Sequence, residues 1–334
     1  MSLAKYCILG FGIAGQLLVL ELLHRGVPSS DILLIDRTFL GGALATEYPT
    51  ILSNTPWSKT RAVLKDYIPY SSLAIERGDS IYKETDCMPV RDIALYCSMT
   101  ALSAAKDCDK LVSDVHTVIP LEGGGYRLEH TFGTVQTKTL FVATGATEKM
   151  LDIQIPRIPL SIAMDRQKLK YSVNSETDTV LVFGTAHSGT IVLENLHELG
   201  VKTTAVYTKQ TPFSFARDGA YDGIKEGSEH IADRILEGKH TNLTLLSWQD
   251  PLTLHKHLKK ATKVVYAIGF APNLPKGLES TYDPKTAKVG TLPNLYGYGI
   301  AFPGKTLYKD TVYADVSVSS FQEQIRATLN NCLL

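Results

Sequence analysis

Hydrophobic and polar positions fall into a repeating block from the start of the chain. Between Lys5 and Asp36 the sequence reads KYCILGFGIAGQLLVLELLHRGVPSSDILLID: a short apolar run, a cluster of glycines, a longer apolar stretch, and a second short run closed by a carboxylate. Short apolar runs bounded by turn residues predict buried strands, and the longer stretch between them predicts a helix. The block is therefore strand, glycine turn, helix, strand. It returns between Asp178 and Gly200 as DTVLVFGTAHSGTIVLENLHELG, with a further strand from Thr203 to Tyr207.

The remaining pattern fits around these two blocks. From Val112 to Val142 the chain is strand-like, with a turn at Gly123 to Gly125, and Leu140 to Ala146 is an apolar strand running into Ala-Thr-Gly-Ala. A second such strand, Lys263 to Ile268, ends in Ala-Ile-Gly-Phe-Ala-Pro-Asn. The stretch from Thr46 to Cys108 is less regular, with helical patches at Lys59 to Tyr67 and Asp92 to Lys106. It reads as an insertion that supplies substrate walls or covers one sheet face. A final helix is expected from Phe321 to about Asn331, with Ser320 and Glu323 in capping-box spacing. Pro156 and Pro159 punctuate a connector and mark a domain crossing. The expected fold is α/β: two Rossmann-like, three-layer dinucleotide-binding domains, the first discontinuous over 1–155 and 271–334, the second over 156–270.

Composition narrows the function classes. Acidic and basic residues balance at 34 each, so no global field recruits nucleic acid or an anionic membrane. The five cysteines, at 7, 87, 97, 108 and 332, form neither a C-x-x-C pair nor a zinc spacing. Free thiols in a reducing compartment are the expectation, and with the apolar run from Ile8 to Leu23 interrupted by glycines, Gln16 and Glu21, a soluble cytoplasmic protein.

The glycines carry the chemistry. Gly10, Gly12 and Gly15 stand in G-x-G-x-x-G spacing: the first permits the turn, the second lets a pyrophosphate approach, the third lets the helix lie close on the sheet. The phosphates rest on the unpaired amides of the helix start, and Asp36 can take the hydroxyls of a ribose. Gly41 and Gly42 follow the second strand and can close over the same pyrophosphate. In the second block, Gly184 and Gly189 flank Ala186 where the middle glycine would stand, a methyl expected to push the pyrophosphate outward. Thr208 and Lys209 occupy the ribose position in place of a carboxylate; they accept a 2'-phosphate that a carboxylate would repel, so NADPH is expected over NADH. His187 and Ser188 lie in this turn, Ser188 as a phosphate donor. His255 and His257 do not share a helix face and read as part of a solvated basic face, not a metal site.

The order of glycine turn, Ala-Thr-Gly strand, second glycine turn and Ala-Ile-Gly-Phe-Ala-Pro-Asn strand resembles the two-dinucleotide-binding flavoprotein superfamily. That group includes the thioredoxin reductases and the flavin-containing monooxygenases. The resemblance implies FAD on the first turn and NADPH on the second. It implies cofactor contacts from Gly10, Gly12, Ile13, Ala14, Gly15, Asp36, Arg37, Gly42, Ala43, Leu44, Asn54, Thr55, Val115, Ala143, Thr144 and Gly145, and from Gly184, His187, Ser188, Gly189, Thr208, Lys209 and Gly269. The disulfide reductases of the group need a cysteine pair near the flavin and a C-terminal Gly-Asp; this chain has no such pair and reads Gly299-Ile300-Ala301-Phe302. The monooxygenase branch is closer in motif, with Gly41-Gly42, Tyr48-Pro49 and Leu52-Ser53-Asn54-Thr55-Pro56, although the F-x-G-x-x-x-H fingerprint of that branch is missing. Asn54 then stands for the asparagine over the flavin and is the candidate catalytic residue. The expected activity is oxygenation of a small molecule at nitrogen or sulfur, using molecular oxygen. A reductase or oxidase without a dithiol, and a non-catalytic nucleotide-binding protein, are the alternatives. A homodimer is left open.

Overall fold

The computed structural model describes residues 3–213, 226–308 and 311–330, with backbone alone at positions 54, 226, 306–308, 311–313 and 315. The chain divides into two compact units, Met1–Thr147 with Pro272–Leu334, and Glu148–Ala271. Pro156 and Pro159 lie inside the second unit.

The first unit opens with β1 (Ala4–Leu9), α1 (Ile13–His24) and β2 (Ile32–Asp36). A short α2 (Ala43–Thr46) leads into the insertion: β3 (Leu52–Pro56), α3 (Trp57–Lys65), α4 (Ser72–Ile81), β4 (Cys87–Pro89) and α5 (Val90–Ala104). Then follow β5 (Asp109–Val112), the antiparallel β6 (Val115–Pro120) and β7 (Tyr126–His130), β8 (Gly133–Val142) and the crossing strand β9 (Ala146–Glu148). The sheet order is β5-β2-β1-β8-β7-β6. At ten residues, β8 serves two roles: its first half pairs antiparallel with β7, its second half parallel with β1.

Alternation along β1 sorts its side chains to two faces, as a pleated strand requires. Tyr6 and Ile8 join the core formed with α1, α5 and the last helix, whereas Cys7 and Leu9 join a second core with Val118, Leu128 and Phe302. The layers are thus helices, a mainly parallel sheet, and an antiparallel cover. Because α5 packs on α1, this part of the insertion covers one sheet face.

The second unit holds α6 (Leu160–Ala163), α7 (Arg166–Leu169), β10 (Thr179–Phe183), α8 (His187–Glu198), β11 (Lys202–Tyr207), α9 (Glu226–Leu236), β12 (Leu243–Ser247), α10 (Pro251–Lys260) and β13 (Lys263–Tyr266). Its four-stranded sheet, β12-β11-β10-β13, is parallel throughout. Such strands are buried on both faces, which is why Val180 to Phe183 form an unbroken apolar run. Here α8 packs beside α7 and α9, while α10 contributes Leu254 to the core with Leu181 and Phe183.

The chain re-enters the first unit through β14 (Phe270–Pro272), where Asn273 N donates to Gly145 O at 3.0 Å. After β15 (Leu295–Gly297), parallel to β8, come the hairpin β16 (Gly304–Tyr308) and β17 (Thr311–Asp315), and α11 (Val318–Leu329). The cap expected at Ser320 and Glu323 is displaced. Ser317, in extended conformation, caps α11 by accepting the Ser320 amide at 3.1 Å, so the helix starts three residues before Phe321. The chain enters one turn earlier than the capping-box spacing suggested, and Ser320 is the donor of the capping bond.

Candidate dinucleotide sites

The first glycine turn is fixed by backbone contacts that leave no room for side chains. Gly10 sits at φ +100°, and a Cβ there would fall 2.3 Å from the Ala143 carbonyl oxygen; a Cβ on Gly15 would fall 2.0 Å from the Gly10 carbonyl oxygen. The turn is anchored by Gly10 N to Ile35 O at 2.8 Å and by Ala143 N to Leu9 O at 2.8 Å. Gly12 differs. Its φ of −72° and ψ of −176° suit any residue, and a Cβ would meet only the Gly42 Cα at 3.9 Å. What glycine supplies there is open space. The first intrahelical bond is Gln16 N to Gly12 O, and no side chain caps the helix. The amides of Ile13, Ala14 and Gly15 therefore have no partner within the helix, the arrangement that receives an anion.

Four other features surround this turn. Asp36 is held by Phe11 N on Oδ2 at 2.7 Å, and by Thr38 N and Phe39 N on Oδ1 at 2.8 Å each. With Oδ1 taken, Oδ2 retains a lone pair for a ribose hydroxyl. Gly42, at φ +71°, brings the paired-glycine loop onto the turn, where a Cβ would lie 3.0 Å from Gly12 Cα. Buried Gln16 donates to Phe11 O at 2.9 Å and to Ser98 Oγ of α5 at 2.7 Å, so the insertion locks the turn. The hydroxyl of Thr144 is buried without a hydrogen-bond partner, and its amide nitrogen would lie 3.0 Å from a Gly10 Cβ. An orphaned hydroxyl beside an open glycine face fits a bound dinucleotide, which would supply its missing partner.

The remaining expected residues are divided between the turn and other segments. Ala143, Thr144 and Gly145 follow β8 at the turn, and Ala43 and Leu44 open α2. Arg37 is exposed. The Val115 side chain is buried in the second core, so only its backbone is presented; Ser113 N bonds Asp36 O at 3.0 Å in the same stretch. Asn54 lies in β3, but its side chain is outside the described residues, and Thr55 N donates to Ser53 Oγ at 2.8 Å. A 3-10 turn, Gly299–Ala301, rests on the start of α1: a Cβ on Gly299 would fall 2.7 Å from that of Ala14. Ile300 is left 43 % exposed.

The second turn repeats the first bond for bond. Gly184 has φ +100° and a Cβ there would fall 2.3 Å from Ala267 O; on Gly189 it would fall 2.2 Å from Gly184 O. Gly184 N bonds Val206 O at 2.9 Å, Ala267 N bonds Phe183 O at 2.7 Å, and Thr190 N bonds Ala186 O at 2.9 Å. Ala186 has φ −80° and ψ −168°, nearly those of Gly12. Its methyl is accommodated without strain. A cavity of about 450 Å³ opens at this turn, within the roughly 300–1,000 Å³ of small-molecule sites. It is lined by Gly184, Thr185, Ala186, Thr208, Lys209 and Gly269, and by Leu151, Pro212 and Trp248, which sequence reading missed. No local spacing marks these three; they arrive through strand order. Thr185 hydroxyl donates to Pro212 O, tying the loop after β11 to the turn. His187 Nδ1 is 2.5 Å from Ser228 Oγ of α9, and Ser188 is half-buried on the first turn of α8.

Burial pushes the Cys7 thiol well above its usual range and that of Cys97 up to about 12. Both are poor nucleophiles. Cys108 is raised for the same reason, and Cys87 is the exposed thiol of the four described; Cys332 lies outside the described residues. Among the described residues no group of three histidine, cysteine or acidic side chains is placed to hold a metal, and no helix is long and apolar enough to cross a membrane.

No protein-family model matches the chain, and neither does any curated protein sequence. Solved structures do. The bacillithiol disulfide reductase of Staphylococcus aureus aligns with TM-score 0.67 at 14 % identity over 100 % of this chain and 99 % of its own. A flavin-containing monooxygenase from Stenotrophomonas maltophilia gives 0.62 at 15 % over 99 % and 100 %, and the thioredoxin reductase of T. acidophilum 0.55 at 15 % over 98 % and 97 %. From end to end, the chain has the fold of the two-dinucleotide-binding flavoproteins.

Proposed function

We propose that the chain is an FAD- and NADPH-dependent oxidoreductase of the monooxygenase type, oxygenating a small molecule at nitrogen or sulfur. The observation that carries the reading is the duplicated turn. Two open glycine faces, each locked by a carbonyl 2.3 Å from where a Cβ would be, give one chain two places for a pyrophosphate. FAD, when bound, accepts a hydride and passes the electrons on. The protein's part is to bind and orient. Ile13, Ala14 and Gly15 offer amides to the FAD pyrophosphate, Asp36 Oδ2 accepts from its ribose, and Thr144 gains a partner. Thr208 and Lys209 receive the 2'-phosphate that distinguishes NADPH from NADH, and Asn54 orients substrate.

Burial of Cys7 and Cys97 and the absence of a C-x-x-C pair favour oxygen over a dithiol as electron acceptor. A disulfide or quinone reductase is the second reading, supported by the fold likeness to a bacillithiol disulfide reductase. Stopped-flow spectra separate the two. Purified protein reconstituted with FAD is reduced anaerobically with NADPH, then mixed with oxygen. A transient species distinct from both reduced and oxidised flavin supports the oxygenase; direct reoxidation, with turnover on a disulfide or quinone, supports the reductase. A protein that takes up no FAD overturns both.

A further inference from the structure

We propose that Trp248 is the platform on which the adenine ring stacks in the second unit, an inference that rests on the nucleotide reading of that unit given above. Trp248 directly follows β12, and its amide donates to Tyr207 O at 2.8 Å, one residue before Thr208. In a glycine-turn unit the end of the second strand serves the ribose of the adenosine half, so this bond holds the indole on the adenosine side. The indole lines the same cavity as Thr208, Lys209 and Pro212. It is braced from one side: its ring meets Phe183 edge-on at 6.0 Å, and Phe183 is stacked on Tyr266 at 5.6 Å. Even so, 44 % of Trp248 stays exposed. Trp57, which serves packing, is enclosed at 0 %, whereas Trp248 keeps surface open at the cavity it lines. A fixed, open indole beside a phosphate-binding lysine is the arrangement that takes a base by stacking.

The chain has two tryptophans, and the other is fully enclosed, so ligand-dependent quenching reports on Trp248. Full-length protein is titrated with adenosine 2',5'-bisphosphate, followed by tryptophan emission and by calorimetry, with nicotinamide mononucleotide as the control. The expected result is saturable quenching with the calorimetric affinity, none from the control, and none in Trp248→Phe. Affinity falls about 5- to 100-fold in Trp248→Ala, while Trp248→Phe, which keeps an aromatic face, binds nearly as wild type. Calorimetric binding with unmoved emission and unchanged affinity in Trp248→Ala overturns the platform and leaves the nucleotide site standing. No heat from this probe or from NADPH overturns both.

Discussion

The carboxylate of Asp36 accepts the amide of Phe11 at 2.7 Å, so the residue at the end of β2 holds the glycine turn at the end of β1. One side chain shapes the turn and, in the proposed reading, also receives the ribose. Asp36→Ala strands three backbone amides, each losing a bond to a charged acceptor worth about 1.5–3 kcal/mol. The expected variant is purified with little flavin and unfolds at lower denaturant concentration. Flavin-to-protein absorbance ratios and urea curves measure both effects.

The three glycines of the first turn separate fold from function. Gly15→Ala places a methyl 2.0 Å from the Gly10 carbonyl oxygen and is expected to prevent stable folding. Gly12→Ala meets nothing closer than 3.9 Å, so it leaves the unfolding midpoint near wild type and lowers FAD retention. Equal loss of stability in both variants would rule out this division.

In the second turn the same logic runs backwards. Ala186→Gly removes a methyl at the open face without changing the backbone, and NADPH affinity is expected to rise by roughly 5-fold, the equivalent of the ~1 kcal/mol that a methylene costs a close contact. Lys209→Ala, by contrast, lowers the NADPH preference over NADH. Isothermal titration with both nucleotides checks each.

Glu21, 2 % exposed, joins distant parts of the first unit. Its Oε1 accepts from Arg326 Nε at 2.6 Å and Tyr67 hydroxyl at 2.7 Å. Arg326→Ala leaves the buried Glu21 with Arg25, 3.9 Å away, as its remaining cation and is expected to cost about 1–3 kcal/mol, less than a fully buried pair because Arg326 is partly exposed. Adding Glu21→Gln recovers part of that, because the neutral amide no longer needs a counter-charge. A double-mutant cycle in urea supplies the coupling.

Burial holds the His240 imidazole below its ordinary value of 6.5, with His197 and Arg234 also opposing a further charge and Glu194 favouring it. As pH falls, the unfolded chain takes up this proton before the folded one. Stability therefore declines as pH drops through about 6.5 and levels off once the folded form is protonated. His240→Gln is expected to flatten the slope of unfolding free energy between pH 5 and 7.

Much of this architecture is written locally. Gly10, Gly12, Gly15 and Asp36, and their counterparts Gly184 and Gly189, lie within single strand-turn-helix blocks. The physical demand at each position, a positive φ, a close backbone approach, open space or a carboxylate acceptor, is met by the residue itself and so is legible in order along the chain. The parallel strands declare themselves by unbroken apolar runs for the same reason. What the sequence leaves open depends on partners far away in the chain. Ser98 reaches Gln16, and Trp248 enters the second cavity, only because packing and strand order bring them there. Ser317 rather than Ser320 starts the last helix because the chain enters it from β17 in extended conformation. Spacing thus specifies the two turns, while packing between distant segments decides what surrounds them.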